Sequence, residues 1–498
     1  MSFRPEHAST SFVLAGAAAL YALVLATAPF LPFVDLPQHV AAAQLVLHRN
    51  DPAVAATYDF TLFPAVNVLG LFVMVPLHAL LPEAVAVRAL FALYFGGLAW
   101  ALSRLGRASG GSAWSAVLAL LFASNYNLIY GFVSFCLGIP LLVWLVARLA
   151  SGMTASVPGS ARSLAVDAFL WWALALAHVL LFGFALVGLG IWCAMARRAS
   201  RGPQLLAALP ACAWVLGCWF RFRPIVAGTS PGETEIVWRG VHEHAAEVGR
   251  ALGVASASGV VEWAVFAGIG IIVLFASWAA RRRPAEPAVD AAPRRFVRAV
   301  ALLGVVLFLG LPFSIYDAAH ASHGVFLLYS RFLAFLPLLW LPTLRLPYRG
   351  VAWAVCGLHL VFVIHWMVLL QRVGRQAQGL DGAIAALAPH ARVKSLIHAA
   401  VPEGMRFEGF LHVASLHQAR ARGETDQSFV LIPANPVHYR DPRRPYLSRQ
   451  DEHLWPERFD WRRSSLYDAI LIYDPAGTAP APAPFTYEKN GWRVVAIR

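Results

Sequence analysis

An aspartate and a histidine four residues apart occupy a proline-bracketed corner, Phe30-Leu-Pro-Phe-Val-Asp35-Leu-Pro-Gln-His39. A carboxylate in such a corner can act as a general base, hold a metal, or cap the helix that begins after it. Pro32 and Pro37 fix the corner outside a helix, and Pro37 suits a first helical turn, so a helix is predicted from Gln38 to Leu47. Asp35 and His39 either share one edge of that helix or converge on a ligand. His178 divides an apolar hairpin; an ionisable group at that depth lines a cavity or packs in the core. Arg221 and Arg223 alternate at the end of an apolar run, where they bind a phosphate head group or snorkel to the interface. Arg331, in Tyr329-Ser-Arg331-Phe332, suits an anionic lipid phosphate. Asp317, His320 and His323 form a polar loop able to hold a divalent ion. His242-Glu243-His244 lacks the four-residue histidine spacing of a helical zinc pair.

The elements that carry these residues belong to a membrane. The chain has 498 residues, of which 59% are hydrophobic and 13% charged, about half the usual charged share. Its mean hydropathy is +0.60. This composition defines a polytopic helical membrane protein. The net charge of +13 is spread over short loops between apolar runs. It therefore reads as orientation in a membrane and gives no indication of nucleic-acid binding. Only Lys394 and Lys489 among the 40 basic residues are lysines, which with the abundant alanine points to a GC-rich bacterial genome. All five cysteines lie in apolar runs, with no disulfide framework and no metal spacing. A phosphate-cradling Walker loop, a dinucleotide glycine fingerprint, a Gly-x-Ser-x-Gly elbow and a zinc-protease helix motif are all absent from the sequence.

With Arg4 inside, the apolar runs alternate as eleven spans. They are Ser11–Phe30, Ala84–Ser103, Ser112–Asn125, Phe132–Ala150, Ala165–Ala177, Leu181–Ala196, Leu205–Phe220, Val260–Ala280, Phe296–Phe313, Phe326–Leu341 and Val351–Leu370. Leu62–Leu81 is long enough for a full span but is interrupted by Pro64, Asn67, Pro76 and His78, and is expected to lie in the interface or dip into the membrane. On this arrangement 16 arginines before residue 371 fall inside and seven outside, the expected asymmetry. The membrane domain is expected over residues 1–371, with a first extracytoplasmic loop at 31–83. From Gln371 the composition becomes that of a soluble domain, and an odd span count puts residues 372–498 outside. Ala391–Ile397, Ser428–Ile432 and Ala469–Tyr473 read as buried strands, and Phe485–Ile497 as a hairpin around Asn490-Gly491. Ala479–Pro484 reads as an extended linker.

In four features the chain resembles the GT-C glycosyltransferases, multispan enzymes that use polyprenyl-phosphate sugars. Asp35 follows the first span, where that class keeps an acidic residue. The long first loop carries two interfacial helices. Ala84-Val-Ala-Val-Arg88-Ala-Leu with Arg104-Leu-Gly-Arg107 is similar to its second span, and a small α/β C-terminal extracytoplasmic domain follows the spans. Asn127-Leu-Ile-Tyr-Gly131-Phe and Leu176-Ala-His178 are similar to bacterial members. Asp35 is followed by Leu36 rather than a second acid, so a divalent metal ion stays open, and the C-terminal region has no Trp-Trp-Asp motif. The resemblance implies transfer of a sugar from a polyprenyl-phosphate donor to a glycan, lipid or protein acceptor at the outer face of a bacterial plasma membrane. Asp35 would be the base, His39 would orient it, and Arg221, Arg223 or Arg331 would offset charge on the leaving phosphate. His178, His320 and His323 are further substrate-binding candidates. The competing expectation is a transporter or assembly factor for lipid-linked glycans, using the same cavity without bond breaking.

Overall fold

The computed structural model describes residues 5–63, 65–154, 160–227, 234–281, 291–317, 320–326, 328–346, 348–431, 435–441, 452, 455–480 and 484–497. The protein is helical, and five of its helices are long and apolar enough to cross a membrane: Glu83–Ser109, Val133–Gly152, Ser200–Arg221, Val260–Ala279 and Gly350–Gln376. At about 1.5 Å per residue, 20 residues match a hydrocarbon core of about 30 Å. Glu83–Ser109 packs closely on Val133–Gly152, and the first helix, Pro5–Thr27, packs on Glu83–Ser109. The last long helix is tied to the first helix and to the segment after Ser109 by one histidine. Tyr21 Oη lies 3.1 Å from His359 Nδ1, and His359 Nε2 lies 2.9 Å from the Val117 carbonyl. The outer helices expose Leu209, Leu216, Ile271, Leu274, Leu360 and Val368, as lipid-facing surface requires.

Three apolar runs depart from simple spans. Leu69–Leu80 has 12 residues, about 18 Å of helix, too short to cross unaided. The expected span Ser112–Asn125 is a helix over Ala113–Ala119, a 3-10 turn over Leu120–Ala123 and then an extended break at Asn125. The expected span Phe326–Leu341 is likewise not one helix. A strand ends at Phe326, Tyr329–Arg331 is a 3-10 turn, and Phe335–Trp340 is a six-residue helix followed by the turn Leu341–Thr343. The two broken segments pack against each other inside the bundle. Irregular backbone is tolerated there because protein, not lipid, satisfies its polar groups.

One end of the bundle gathers arginines onto backbone carbonyls and a threonine hydroxyl. Arg294 Nε donates to the Ser109 carbonyl (3.3 Å), Arg345 Nε to that of Gly110 (3.3 Å) and Arg298 Nε to Thr343 Oγ1 (3.0 Å). The opposite end carries the 31–62 loop and the C-terminal region. There a five-stranded sheet has the order Glu424–Thr425, Arg392–Ile397, Ala469–Tyr473, Trp492–Ala496, Phe485–Lys489. The first three strands are parallel and the last two antiparallel. Ala469–Tyr473 is buried on both faces, as a central strand must be. The Phe485/Trp492 hairpin turns at Asn490 (φ 51°) and Gly491 (φ 80°), and positive φ at both positions is what an Asn-Gly type I′ turn supplies. Phe429–Leu431 forms a 3-10 turn where a strand was expected, and Glu424–Thr425 supplies the edge strand instead. Residues 481–483 of the expected linker lie outside the described residues. The first loop and the C-terminal region are joined by a strand pair, Tyr58–Phe60 with Val437–Tyr439.

Candidate functional site

Asp35 is built into place by its neighbours' backbone. Val34 N–H donates to the Ile129 carbonyl (3.2 Å) and Asp35 N–H to that of Tyr130 (2.9 Å). Gly131 follows with φ +72°, and a Cβ there would lie 2.8 Å from Leu36 N and 3.2 Å from Asp35 N. Only glycine permits both the left-handed backbone and this approach. Gly131→Ala is therefore expected to lower stability by about 1–2 kcal/mol from the backbone alone. The thermal midpoint checks this, and an unchanged midpoint would show that the corner tolerates the shift.

The Asp35 side chain does not cap the helix Leu36–Leu47, although Asp35 occupies the cap position. It is 8% exposed, and burial pushes its carboxyl up to about 7, against the opposing pull of the Arg331 guanidinium. The imidazole beside it belongs to His412, whose Nε2 lies 3.4 Å from Asp35 Oδ1. His39, which the resemblance has orienting Asp35, packs against a ring. Its ring meets Phe429 edge-on at 5.1 Å, and burial lowers it to about 4, so it is neutral at ordinary pH.

Arg331 is also 8% exposed. Its guanidinium carbon sits 3.8 Å over the Phe132 ring, and Nη1 lies 3.3 Å from His178 Nε2. Its Nε has no hydrogen-bond partner among the described residues. His178 is extended (φ −167°, ψ 130°) between the helices Ala161–Ala177 and Val179–Met195. Its Nδ1 accepts the Leu180 N–H at 3.1 Å. A neutral imidazole that accepts at Nδ1 carries its proton on Nε2. His178 Nε2–H and Arg331 Nη1–H are then two donors facing each other. A shared acceptor oxygen satisfies both, and a phosphate or carboxylate oxygen is the strongest such acceptor.

The other sequence candidates lie elsewhere. Arg221 is exposed, with Nη1 3.5 Å from the Phe63 carbonyl. Arg223 lies in the helix Arg198–Ala227, and His320 and His323 lie on the strand His320–Phe326; their side chains are outside the described residues. Glu243 Oε2 accepts the Gly240 N–H at 2.8 Å, and the His244 ring stacks on Tyr329 at 4.4 Å. No group of three or more metal-capable side chains occurs among the described residues. Sequence reading missed His412, Tyr130, Gly131 and Phe132 as site residues. The Tyr130-Gly-Phe132 run was a usable signal, since a glycine between two aromatics in an otherwise apolar segment marks a close backbone approach.

Fold and site together define a helical protein with helices long and apolar enough to cross a membrane and with a buried carboxylate, guanidinium and imidazole at one end. No protein-family model, no curated protein and no solved structure matches the chain.

Proposed function

We propose that this protein is a membrane glycosyltransferase that moves a sugar from a polyprenyl-phosphate donor to an acceptor hydroxyl, with inversion. The carrying observation is the pairing of a buried, near-neutral carboxylate with an anion site. Asp35 sits at the pKa a general base needs, and Arg331 and His178 converge as donors nearby. In the reaction, the acceptor oxygen attacks the anomeric carbon while Asp35 takes its proton. The bond from that carbon to the phosphate oxygen breaks, and the electron pair leaves on the phosphate. The donor phosphodiester carries one negative charge and the departing phosphomonoester gains a second. Arg331 and His178 offset that second charge, the electrostatic role that supplies much of enzymatic rate enhancement. His412 beside Asp35 is suited to orient the carboxylate.

The arginine asymmetry supports placing the Asp35 end outside the cytoplasm, at a bacterial plasma membrane, with residues 372–498 on the same side. The eleven-crossing arrangement is retained in this reading, with Ser112–Asn125 and Phe326–Leu341 as broken crossings enclosed by the bundle. The test is release of polyprenyl phosphate from a panel of polyprenyl-phosphate sugars by purified protein in detergent, with and without chelator. Release is the expected result, and the chelator lane decides whether a divalent ion takes part. No release from any donor, by protein whose melting shows it folded, would overturn the reading in favour of transport or assembly.

A further inference from the structure

A second buried polar cluster lies beside the anion site and has no role in the steps above. Its centre is Glu247, on the amphipathic helix Val241–Leu252. That helix ends at Gly253 (φ +104°), where a Cβ would lie 2.0 Å from the Ser124 carbonyl. The contact pins the helix against the turn that carries Tyr126. Glu247 is 7% exposed. Its Oε1 lies 3.4 Å from Arg250 Nη1 and 3.6 Å from Arg239 Nη1. Its Oε2 is buried and makes no hydrogen bond among the described residues, while the Tyr126 hydroxyl lies beside that of Tyr130 and the Tyr329 hydroxyl beside the Arg239 guanidinium. Both hydroxyls lie within electrostatic reach of Glu247, and that of Tyr126 within reach of Arg331 as well. Tyr126 thus bridges the anion site and Glu247. Buried polar atoms are satisfied in nearly all cases, so a carboxylate oxygen left over between phenols points to a partner. The partner must donate to a carboxylate, exchange hydrogen bonds with phenols, and tolerate aromatic walls. Tyr130 and Phe132, stacked at 5.5 Å and partly exposed, supply such a wall next to Tyr126.

We propose that Glu247, with the Tyr126 hydroxyl, binds the ring hydroxyls of the donor's sugar while its phosphate rests on Arg331 and His178. This rests on the glycosyltransferase reading and assigns the sugar subsite within it. A hydroxylated ring fits both demands. Its hydroxyls donate to Glu247 Oε2, and its apolar face covers Tyr130 and Phe132. Glu247 is a specificity residue here, and it takes no proton from the acceptor.

The experiment compares binding of two probes in detergent: short-chain prenyl phosphate alone, and the same phosphate carrying glucose, mannose or galactose. Wild type is expected to bind at least one sugar-bearing probe about ten-fold or more tighter than the bare phosphate, because a hydroxyl paired with a buried charge discriminates strongly. Glu247→Gln is expected to lose that preference while binding bare prenyl phosphate as before. Tyr126→Phe, which removes a single hydroxyl and keeps the ring, is expected to lose part of it with the melting temperature little changed. Equal loss of both probes in the two variants, or an unchanged preference in either, overturns the proposal. So does a wild type that prefers no sugar. The parent reading fails separately, when wild type releases no polyprenyl phosphate at all.

Discussion

Replacing Asp35 by asparagine is expected to lower turnover by about 10²–10⁴-fold, the usual contribution of a positioned general base, while the protein becomes more stable above neutral pH. Both effects follow from one fact: burial holds the carboxyl near 7 where 3.8 is ordinary. As a base, Asp35 must be ionised, so wild-type kcat/KM rises as pH climbs through about 7 and then levels. The variant keeps only the residual, flat rate. For stability the sign is opposite. The folded state holds the Asp35 proton more tightly than the unfolded chain does, so folding is favoured at low pH and loses free energy as pH rises from about 4 to about 7. The full loss is about 4 kcal/mol at 1.36 kcal/mol per pH unit. Asparagine, always neutral, avoids it. Melting of both proteins from pH 4 to pH 8 should show the variant gaining on wild type up to about 7 and no further. A variant that loses only a few-fold in turnover, or melts lower than wild type at pH 8, would remove Asp35 from the role of base.

The corner around Asp35 was legible because prolines and a following amphipathic run leave few choices for the backbone. The Asn490-Gly491 hairpin was legible for a similar reason, since two successive left-handed residues suit those residue types and few others. What chain chemistry hides is which side chains meet. The four-residue spacing of Asp35 and His39 promises a shared face only if both project from one helix, and Asp35 stands at the cap position. Its carboxylate turns to His412, far away in sequence, and His39 turns to Phe429. Ser112–Asn125 and Phe326–Leu341 read as spans because apolar composition cannot distinguish a straight helix from a broken segment enclosed by protein. Those breaks bring Tyr126 and Arg331 into the site. His178 was legible as an ionisable group at depth, but its tautomer depends on the Leu180 N–H, which only the folded backbone supplies.

Arg331→Met is expected to cost about 10²–10³-fold in turnover, the scale of losing one oriented donor to developing negative charge. The methionine keeps much of the apolar stem against Phe132, so lost packing is a small part of the effect. Arg331→Lys should restore little. An ammonium cannot stack flat on Phe132 and at the same time present separate N–H groups toward His178 and toward the side on which Nε lies. The separating measurement is the pH profile. Arg331 is the charge that opposes burial in setting the Asp35 pKa, so its removal leaves the carboxyl harder to ionise. The acid limb of kcat/KM should therefore move to higher pH in Arg331→Met and stay near 7 in Arg331→Lys, whose charge remains. An arginine that merely braced the Phe132 loop would lower turnover in both variants without moving the limb in either. A shift confined to methionine ties the guanidinium to the carboxylate, so that the charge receiving the leaving phosphate also holds the base near the pH at which it works.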